Sequence, residues 1–120
     1  MALAWTWLVV DCVDPAPVAR FWAAALGAPE RETDEDGDWP VSPPGSSVAL
    51  LFQAVSEGKT GKNRLHLDLH PGSPAEQDAE VERLIALGAR RAQVGQTGSE
   101  SWVILADPGG NEFCVLRGAD

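Results

Sequence analysis

The chain has 120 residues, 44% of them hydrophobic, and a formal net charge of −9 from 18 acidic and 9 basic residues. This length predicts one globular domain with its own core. No apolar run is long enough to span a membrane, and the acidic surface repels nucleic acid and anionic lipid, so neither is expected as a partner. The apolar start, residues 1–10, lacks the basic region of a signal peptide, which predicts a cytoplasmic protein.

The first predicted elements are a strand that contains Trp7–Val10 and a helix that follows it. Asp14 is a candidate N-cap, Pro15 suits the first helical position, and Gly27 suits the C-terminal stop. The helix carries an apolar stripe at the spacing of one face: Val18, Phe21, Trp22, Ala25 and Leu26. This stripe predicts a helix packed on a sheet.

The region after this helix has weaker signals. Glu30–Thr33 predicts a weak strand, and 34–47 is mostly loop, with Trp39–Val41 as a short edge strand inside it. The six acidic residues between positions 30 and 38 are interpreted as a solvated loop and not as a cation site. Val48–Val55 predicts a clear strand, and the polar segment 56–63 predicts a linker.

The second half repeats the pattern of the first. Residues 66–89, like residues 7–28, contain an apolar strand, a Pro-containing turn, a helix and a Leu-Gly-Ala ending. The two strands align at an offset of 59 if Trp7 matches His66, or of 57 if Asp11 matches Asp68. Both registers remain open, and both leave the strand faces unchanged.

The helix of the second half is predicted to begin at a capping box, Ser73-Pro74-Ala75-Glu76, and to end at Gly88. Strands are then predicted over 90–94, 101–106 and 112–117. Asp107–Asn111, between the last two strands, predicts a hairpin turn, and Asp107 and Asn111 are assigned to that turn.

Each half therefore predicts the order β-α-β-β-β, in one domain made of two modules, about 1–57 and 64–120. The fold class is α+β: two βαβββ modules form an open, cup-shaped mixed β-sheet with the helices on the outside. A concave pocket in such a cup is where a ligand is expected.

Three segments resemble the glyoxalase-like proteins of the vicinal-oxygen-chelate superfamily: residues 9–27 (VVDCVDPAPVARFWAAALG), 62–73 (KNRLHLDLHPGS) and 102–116 (WVILADPGGNEFCVL). The superfamily includes glyoxalase I, which is a lyase, extradiol dioxygenases, fosfomycin-modifying enzymes and bleomycin-resistance proteins. The resemblance implies paired modules, a homodimer, and a divalent metal held by His and Glu side chains from both modules.

The ligand positions that the resemblance implies are mostly replaced. The first falls at Trp7, whose ring nitrogen is only a donor. The position that opens the second module falls at His66, which matches. The last, usually Glu, falls at Cys114, and the remaining one lies in 48–53, where Gln53 is the polar candidate. With His66 alone, no metal or other cofactor is expected, although a divalent metal remains an alternative.

Alternation along the strands selects further candidates. His66, Asp68 and His70 share one face of their strand, and His66 with Asp68 is a candidate acid–base pair. The full set of candidate ligand-binding residues is Trp5, Trp7, Trp39, Gln53, His66, Glu112 and Cys114. A tryptophan at position 7 can stack on a flat aromatic or cationic molecule. Cys114 and Cys12 are expected to be free thiols, with packing the simpler interpretation of Cys114.

Three functions follow from these residues. The first is a protein that binds a small organic molecule in the cup without the usual metal site. The second is a metal-dependent lyase, isomerase or dioxygenase. The third is a metal-free acid–base enzyme that uses His66.

Overall fold

The computed structural model describes residues 2–118 of the chain. The chain divides into a first unit, Met1–Lys59, and a second unit, Thr60–Asp120. Within the described residues each unit contains one α-helix and one mixed sheet, which confirms the predicted α+β class. Between residues 2 and 118, no helix has the length and apolar character that crossing a membrane requires.

The first unit has the elements β1 (Leu8–Cys12), α1 (Pro15–Leu26), β2 (Trp39–Val41) and β3 (Leu50–Ala54). Its sheet has the order β1-β3-β2, with β1 parallel and β2 antiparallel to β3. The predicted edge strand Trp39–Val41 is confirmed. The core combines the helix stripe with one face of the sheet: Cys12, Val18, Phe21, Trp22, Val41, Leu50 and Phe52 are all buried.

The ends of α1 follow from its sequence. Pro15 takes the first position, where its missing N–H leaves no bond unmade. Gly27 has a φ of 68°, the left-handed conformation that glycine adopts without a Cβ clash. Asp14 occupies the predicted N-cap position with an extended backbone, but its side chain makes no hydrogen bond to the helix.

The predicted strand Glu30–Thr33 is also wrong, since these four residues lie in an exposed loop. The loop ends in a turn that Asp34 organises. Its Oδ1 accepts hydrogen bonds from the backbone N–H of Asp36 at 3.0 Å and of Asp38 at 2.9 Å. A carboxylate that binds nearby backbone competes with a sheet ladder, so the acidic segment favours a turn over a strand.

The second unit has the elements β4 (Asp68–Leu69), α2 (Gln77–Leu87), β5 (Arg90–Arg91), β6 (Val103–Ala106) and β7 (Glu112–Val115). The sheet order is β4-β7-β6-β5, in which β4 is parallel to β7 and the other pairs are antiparallel. All four strands are shorter than predicted. The core consists of one sheet face and the stripe of α2: Val81, Leu84, Leu105, Phe113 and Val115 are buried.

The start of α2 differs from the predicted capping box. Ser73 makes no side-chain cap bond, and Pro74–Glu76 form a short 3-10 turn before the helix. Gln77 secures the start of the helix instead. Its amide nitrogen donates to the carbonyl oxygens of Ser101 at 2.8 Å and Val115 at 3.1 Å, which ties α2 to the sheet.

The turn between β6 and β7 is organised by Asp107, as predicted. Its buried carboxylate accepts hydrogen bonds from the backbone N–H groups of Gly109 at 2.9 Å and Asn111 at 3.0 Å. These two bonds satisfy donors that the tight turn leaves without sheet partners. The turn therefore fixes the register of the hairpin that carries Glu112 and Cys114.

Candidate functional site

One face of the second sheet gathers side chains from three strands, and those of β4 and β7 are polar. In the ladder, Asp68 of β4 lies opposite Cys114 of β7, and Cys114 lies opposite Ile104 of β6. Paired residues project to the same face, so these three side chains form one row across the sheet. Glu112, two residues before Cys114, projects from the same face of β7.

Two members of this row, Asp68 and Cys114, form a polar cluster with His66, which precedes β4. Nε2 of His66 lies 3.1 Å from Oδ1 of Asp68, and both side chains are about half exposed, at 47% and 51%. One potential ligand atom from each of the three residues lies within 4.8 Å of the others. We call this set the His-Asp-Cys cluster.

The thiol of Cys114 is the buried member of the cluster. Burial raises its pKa, because desolvation disfavours the thiolate, and the charge of Asp68 and a hydrogen bond to that carboxylate raise it further. The charge of Lys62 opposes these effects. At neutral pH the thiol is therefore protonated and is not an activated nucleophile.

A cavity of about 420 Å³ opens above this face of the sheet, and the described residues that line it belong to the second unit. His66, Asp68, Glu112 and Cys114 contribute polar groups to it. Its apolar lining comes from β6, β7 and the residues beside them: Trp102, Ile104, Phe113 and Leu116. This volume is typical of pockets for small organic ligands.

The loop before β6 forms another wall of the cavity through Val94, Gly95, Gln96 and Glu100. Gln96 holds the first part of the loop: its Oε1 accepts from Val94 N–H at 2.8 Å, and its Nε2 donates to Ala92 O at 2.6 Å. These contacts give the wall a defined conformation without any ligand.

Glu100 holds the second part of the same loop. Its carboxylate accepts hydrogen bonds from Thr97 N–H at 2.7 Å and Gly98 N–H at 2.9 Å. The bond from the Thr97 backbone is the largest cause of a lowered pKa at Glu100. The side chain therefore stays ionised and hydrogen-bonded well below neutral pH.

The cavity has an excess of negative charge. Its lining includes the part-exposed carboxylates of Asp68 and Glu100, against one ammonium group, that of Lys62. Glu112 is buried and accepts a hydrogen bond from Asn63 N–H at 3.3 Å. A ligand that carries positive charge is therefore favoured electrostatically.

The other sequence-predicted site residues lie in the first unit. Trp5 and Trp7 precede β1 and are exposed, at 76% and 37%. Gln53, in β3, donates from Nε2 to Oδ2 of Asp38 at 3.0 Å. Trp39, in β2, pairs with buried Phe52 and lies below the guanidinium of Arg20 on α1, 5.7 Å from Cζ to the ring centroid. That contact places Trp39 on the helix side of its sheet.

The sequence analysis did not select Trp102 or the loop residues Lys62, Gln96 and Glu100. Trp102 could have been found, because it precedes Ile104 by two residues and so shares its face under strand alternation. The loop residues could not, because segments without periodicity give no indication of which sheet face they cover.

Comparison with known proteins identifies the family. The glyoxalase-like domain model matches residues 7–116. The chain belongs to this family. A search of curated proteins found no match. The family match confirms the resemblance seen in the sequence over nearly its whole length.

Solved structures of the same superfamily share the fold. The fosfomycin resistance protein FosX of Listeria monocytogenes, in complex with Mn(II) and 1S,2S-dihydroxypropylphosphonic acid, superposes with a TM-score of 0.73 at 15% identity, covering 99% of this chain and 93% of that one. A glyoxalase/bleomycin resistance protein/dioxygenase family enzyme from Burkholderia phytofirmans gives 0.69 at 19% identity, with coverages of 91% and 94%. The fosfomycin resistance protein FosX from Mesorhizobium loti superposes with a TM-score of 0.68 at 14% identity, covering 99% of this chain and 94% of that one. At these identities the likeness concerns the fold.

The family resemblance implies a metal, and among residues 2–118 the group of three potential ligands that could hold one lies in the second unit. Trp7 offers no lone pair at the first ligand position. The His-Asp-Cys cluster, by contrast, brings an imidazole nitrogen, a carboxylate oxygen and a sulfur within 4.8 Å. Three such donors suit a divalent ion that keeps an open coordination position. The structure thus gives His66 two candidate co-ligands, Asp68 and Cys114, whereas His66 alone matched the ligand positions that the resemblance implies.

Proposed function

We propose that this glyoxalase-like protein binds a small organic molecule in the cavity of the second unit, without the two-module metal site that the family resemblance implies. The observation that carries the proposal is the cavity itself, about 420 Å³, with an aromatic and aliphatic wall beside a polar floor. Such a lining suits a ligand with an apolar body and a few polar groups.

The charge and the aromatic ring of the lining favour a flat organic cation. Trp102 is 44% exposed at the cavity, so its ring is accessible for stacking. A cation over an indole face gains about 0.5–2 kcal/mol, and the carboxylates of Asp68 and Glu100 add long-range attraction. The ligand that the proposal names is therefore a flat aromatic monocation.

Binding is tested with a matched pair of probes, N-methylacridinium and neutral acridine at pH 8, in buffer that contains a metal chelator. We expect the cation to quench tryptophan fluorescence and to bind about tenfold more tightly, since 1.4 kcal/mol corresponds to a factor of ten. Equal affinity of the two probes would contradict the cationic preference. No saturable binding of either would refute the proposed ligand class.

Two tryptophan variants locate the site. Trp102→Leu should weaken cation binding by about tenfold, because it removes the stacking surface. Trp7→Leu is the matched comparison from the first unit, which the sequence analysis selected as a ligand-binding residue. If only Trp102→Leu weakens binding, the second-unit cavity is the site. A loss confined to Trp7→Leu would move the site to the first unit.

A second candidate function is acid–base catalysis by His66 with Asp68, which the 3.1 Å contact between them favours. A carboxylate at that distance can orient an imidazole for proton transfer to or from a ligand. The test is mass spectrometry of a bound ligand after prolonged incubation. A product that forms with the wild-type chain, and not with His66→Ala, would support catalysis; an unchanged ligand supports binding alone.

A further inference from the structure

The floor of the second-unit cavity combines three kinds of metal ligand. Nε2 of His66, a carboxylate oxygen of Asp68 and Sγ of Cys114 lie within 4.8 Å of one another. Zinc binds all three kinds, and zinc sites that bind further molecules commonly have three protein ligands and one open position. Because the site faces a cavity, the fourth position would be open to water or to a ligand.

The charges of the cluster match a divalent ion. With the thiol deprotonated, Asp68 and Cys114 supply two negative charges to neutral His66, which together balance one M²⁺. Sulfur is a soft donor, and it favours Zn²⁺ or Co²⁺ over hard ions such as Mn²⁺ and Mg²⁺. We propose that the His-Asp-Cys cluster is a binding site for a thiophilic divalent ion, built within the second unit alone.

The sheet backbone fixes two of the three ligands. Asp68 and Cys114 are direct partners in the parallel ladder, and Cys114 N–H donates to Leu67 O at 2.9 Å. Their side chains therefore meet before any ion is bound, which lowers the ordering cost of binding. His66 precedes β4 and is about half exposed, so an ion can enter from its side.

Binding involves one proton transfer and no redox change. The S–H bond of Cys114 breaks, the sulfur keeps the electron pair and donates it to the ion, and the proton passes to buffer. The Asp68 carboxylate, which stabilises the protonated thiol in the absence of an ion, would become a second ligand. The ion thus replaces the thiol proton as the partner of Asp68.

The test titrates Co²⁺ into the whole chain, purified with chelator, held under a phosphine reductant and freed of chelator. A cobalt–thiolate bond gives a charge-transfer band in the near ultraviolet, which reports the sulfur ligand directly. We expect the band to saturate at about one Co²⁺ per chain and to disappear when Zn²⁺ is added, while the same concentration of Mn²⁺ leaves it unchanged.

Cys12 supplies the control, because it is the other buried thiol and lies in β1 of the first unit. Cys114→Ser should abolish the band, whereas Cys12→Ser should keep it. His66→Ala and Asp68→Asn change half-exposed residues, and each should lower Co²⁺ affinity by about tenfold or more. Circular dichroism confirms that each variant is folded.

No band with the wild-type chain would overturn the proposal, as would a band that survives in Cys114→Ser or that Mn²⁺ displaces. Should Cys114→Ser fail to fold, His66→Ala decides: unchanged Co²⁺ affinity in that variant would overturn the proposal. The Co²⁺ titration uses no organic ligand, and the probe experiment uses protein kept free of metal by a chelator. Failure of the metal site and failure of the small-molecule site are therefore separate results.

Discussion

Asp68 is the residue that determines the chemistry of the cluster. In thiol enzymes an imidazole beside the sulfur lowers the thiol pKa and activates it. Here the group that acts most strongly on Cys114, after burial, is the Asp68 carboxylate, and it raises that pKa. The cluster therefore holds Cys114 as a protonated thiol.

The raised pKa of Cys114 predicts a stability change with pH. A thiol whose pKa is higher in the folded than in the unfolded chain stabilises the fold below its unfolded pKa, and that contribution is lost as pH rises through the folded value. From pH 8 upward, the free energy of unfolding of the wild-type chain should therefore fall more than that of Cys114→Ser. The extra slope cannot exceed about 1.4 kcal/mol per pH unit, the limit for one proton.

Urea unfolding at several pH values measures this difference, on protein free of metal and of disulfides. Asp68→Asn should show an intermediate slope, because it keeps the burial of the thiol but removes the carboxylate charge. Parallel slopes for the wild-type chain and Cys114→Ser would show that the pKa of Cys114 is not raised.

The elements of the second unit were more predictable than those of the first. The hairpin 103–115 was predictable because Asp107–Asn111 is a strong local turn signal between two apolar strands. The parallel pairing of β4 with β7 was not predictable, because the register of a non-local parallel pair is not encoded near either strand. The predicted strand Glu30–Thr33 was wrong because all four of its side chains are polar, so a strand there has no apolar face to bury.

The loop before β6 forms one wall of the cavity, and its order depends on the carboxylate of Glu100. Glu100→Gln should speed amide hydrogen exchange at Thr97 and Gly98, because an uncharged amide accepts these backbone bonds more weakly. In the wild-type chain the bonds persist above the ordinary glutamate pKa, and they are lost as pH falls through the lowered value. Probe affinity should decrease in the same variant.

Glu35→Gln is the matched control for this loop, since it removes the same charge from an exposed glutamate of the acidic loop in the first unit. It should leave exchange at Thr97 and Gly98 unchanged. Equal protection of these two amides in Glu100→Gln and in the wild-type chain would show that the carboxylate does not order the wall.

The whole molecule carries a large acidic excess together with an apolar strip at its first strand. Trp5, Trp7, Val9 and Val13 are 76%, 37%, 45% and 59% exposed. Adjacent exposed apolar residues commonly mark a contact with another protein, and a second copy of the same chain is the most frequent partner in oligomers. In a homodimer, which the family resemblance implies, the partner would bury this apolar strip.

We therefore predict that the chain is a homodimer in solution and that Trp7→Glu weakens its association. A new charge in a strip that the partner covers would be desolvated without a counter-charge. Sedimentation equilibrium measures the association constant. Leu65→Glu, at an 81% exposed leucine in the second unit, is the comparison. A monomeric wild-type chain, or weakening by Leu65→Glu alone, would contradict the role of the strip.

Amide exchange at the short strand β4 should indicate whether the cavity floor is occupied. It lies at the edge of its sheet and is joined to β7 through the N–H groups of Cys114 and Leu116, which donate to Leu67 and Leu69. An edge of two residues opens easily, so these two amides should exchange with deuterium faster than those between β6 and β7. Anything that links Asp68 to Cys114 joins the same two strands through their side chains, and it should therefore slow deuterium uptake at the backbone amides of Cys114 and Leu116.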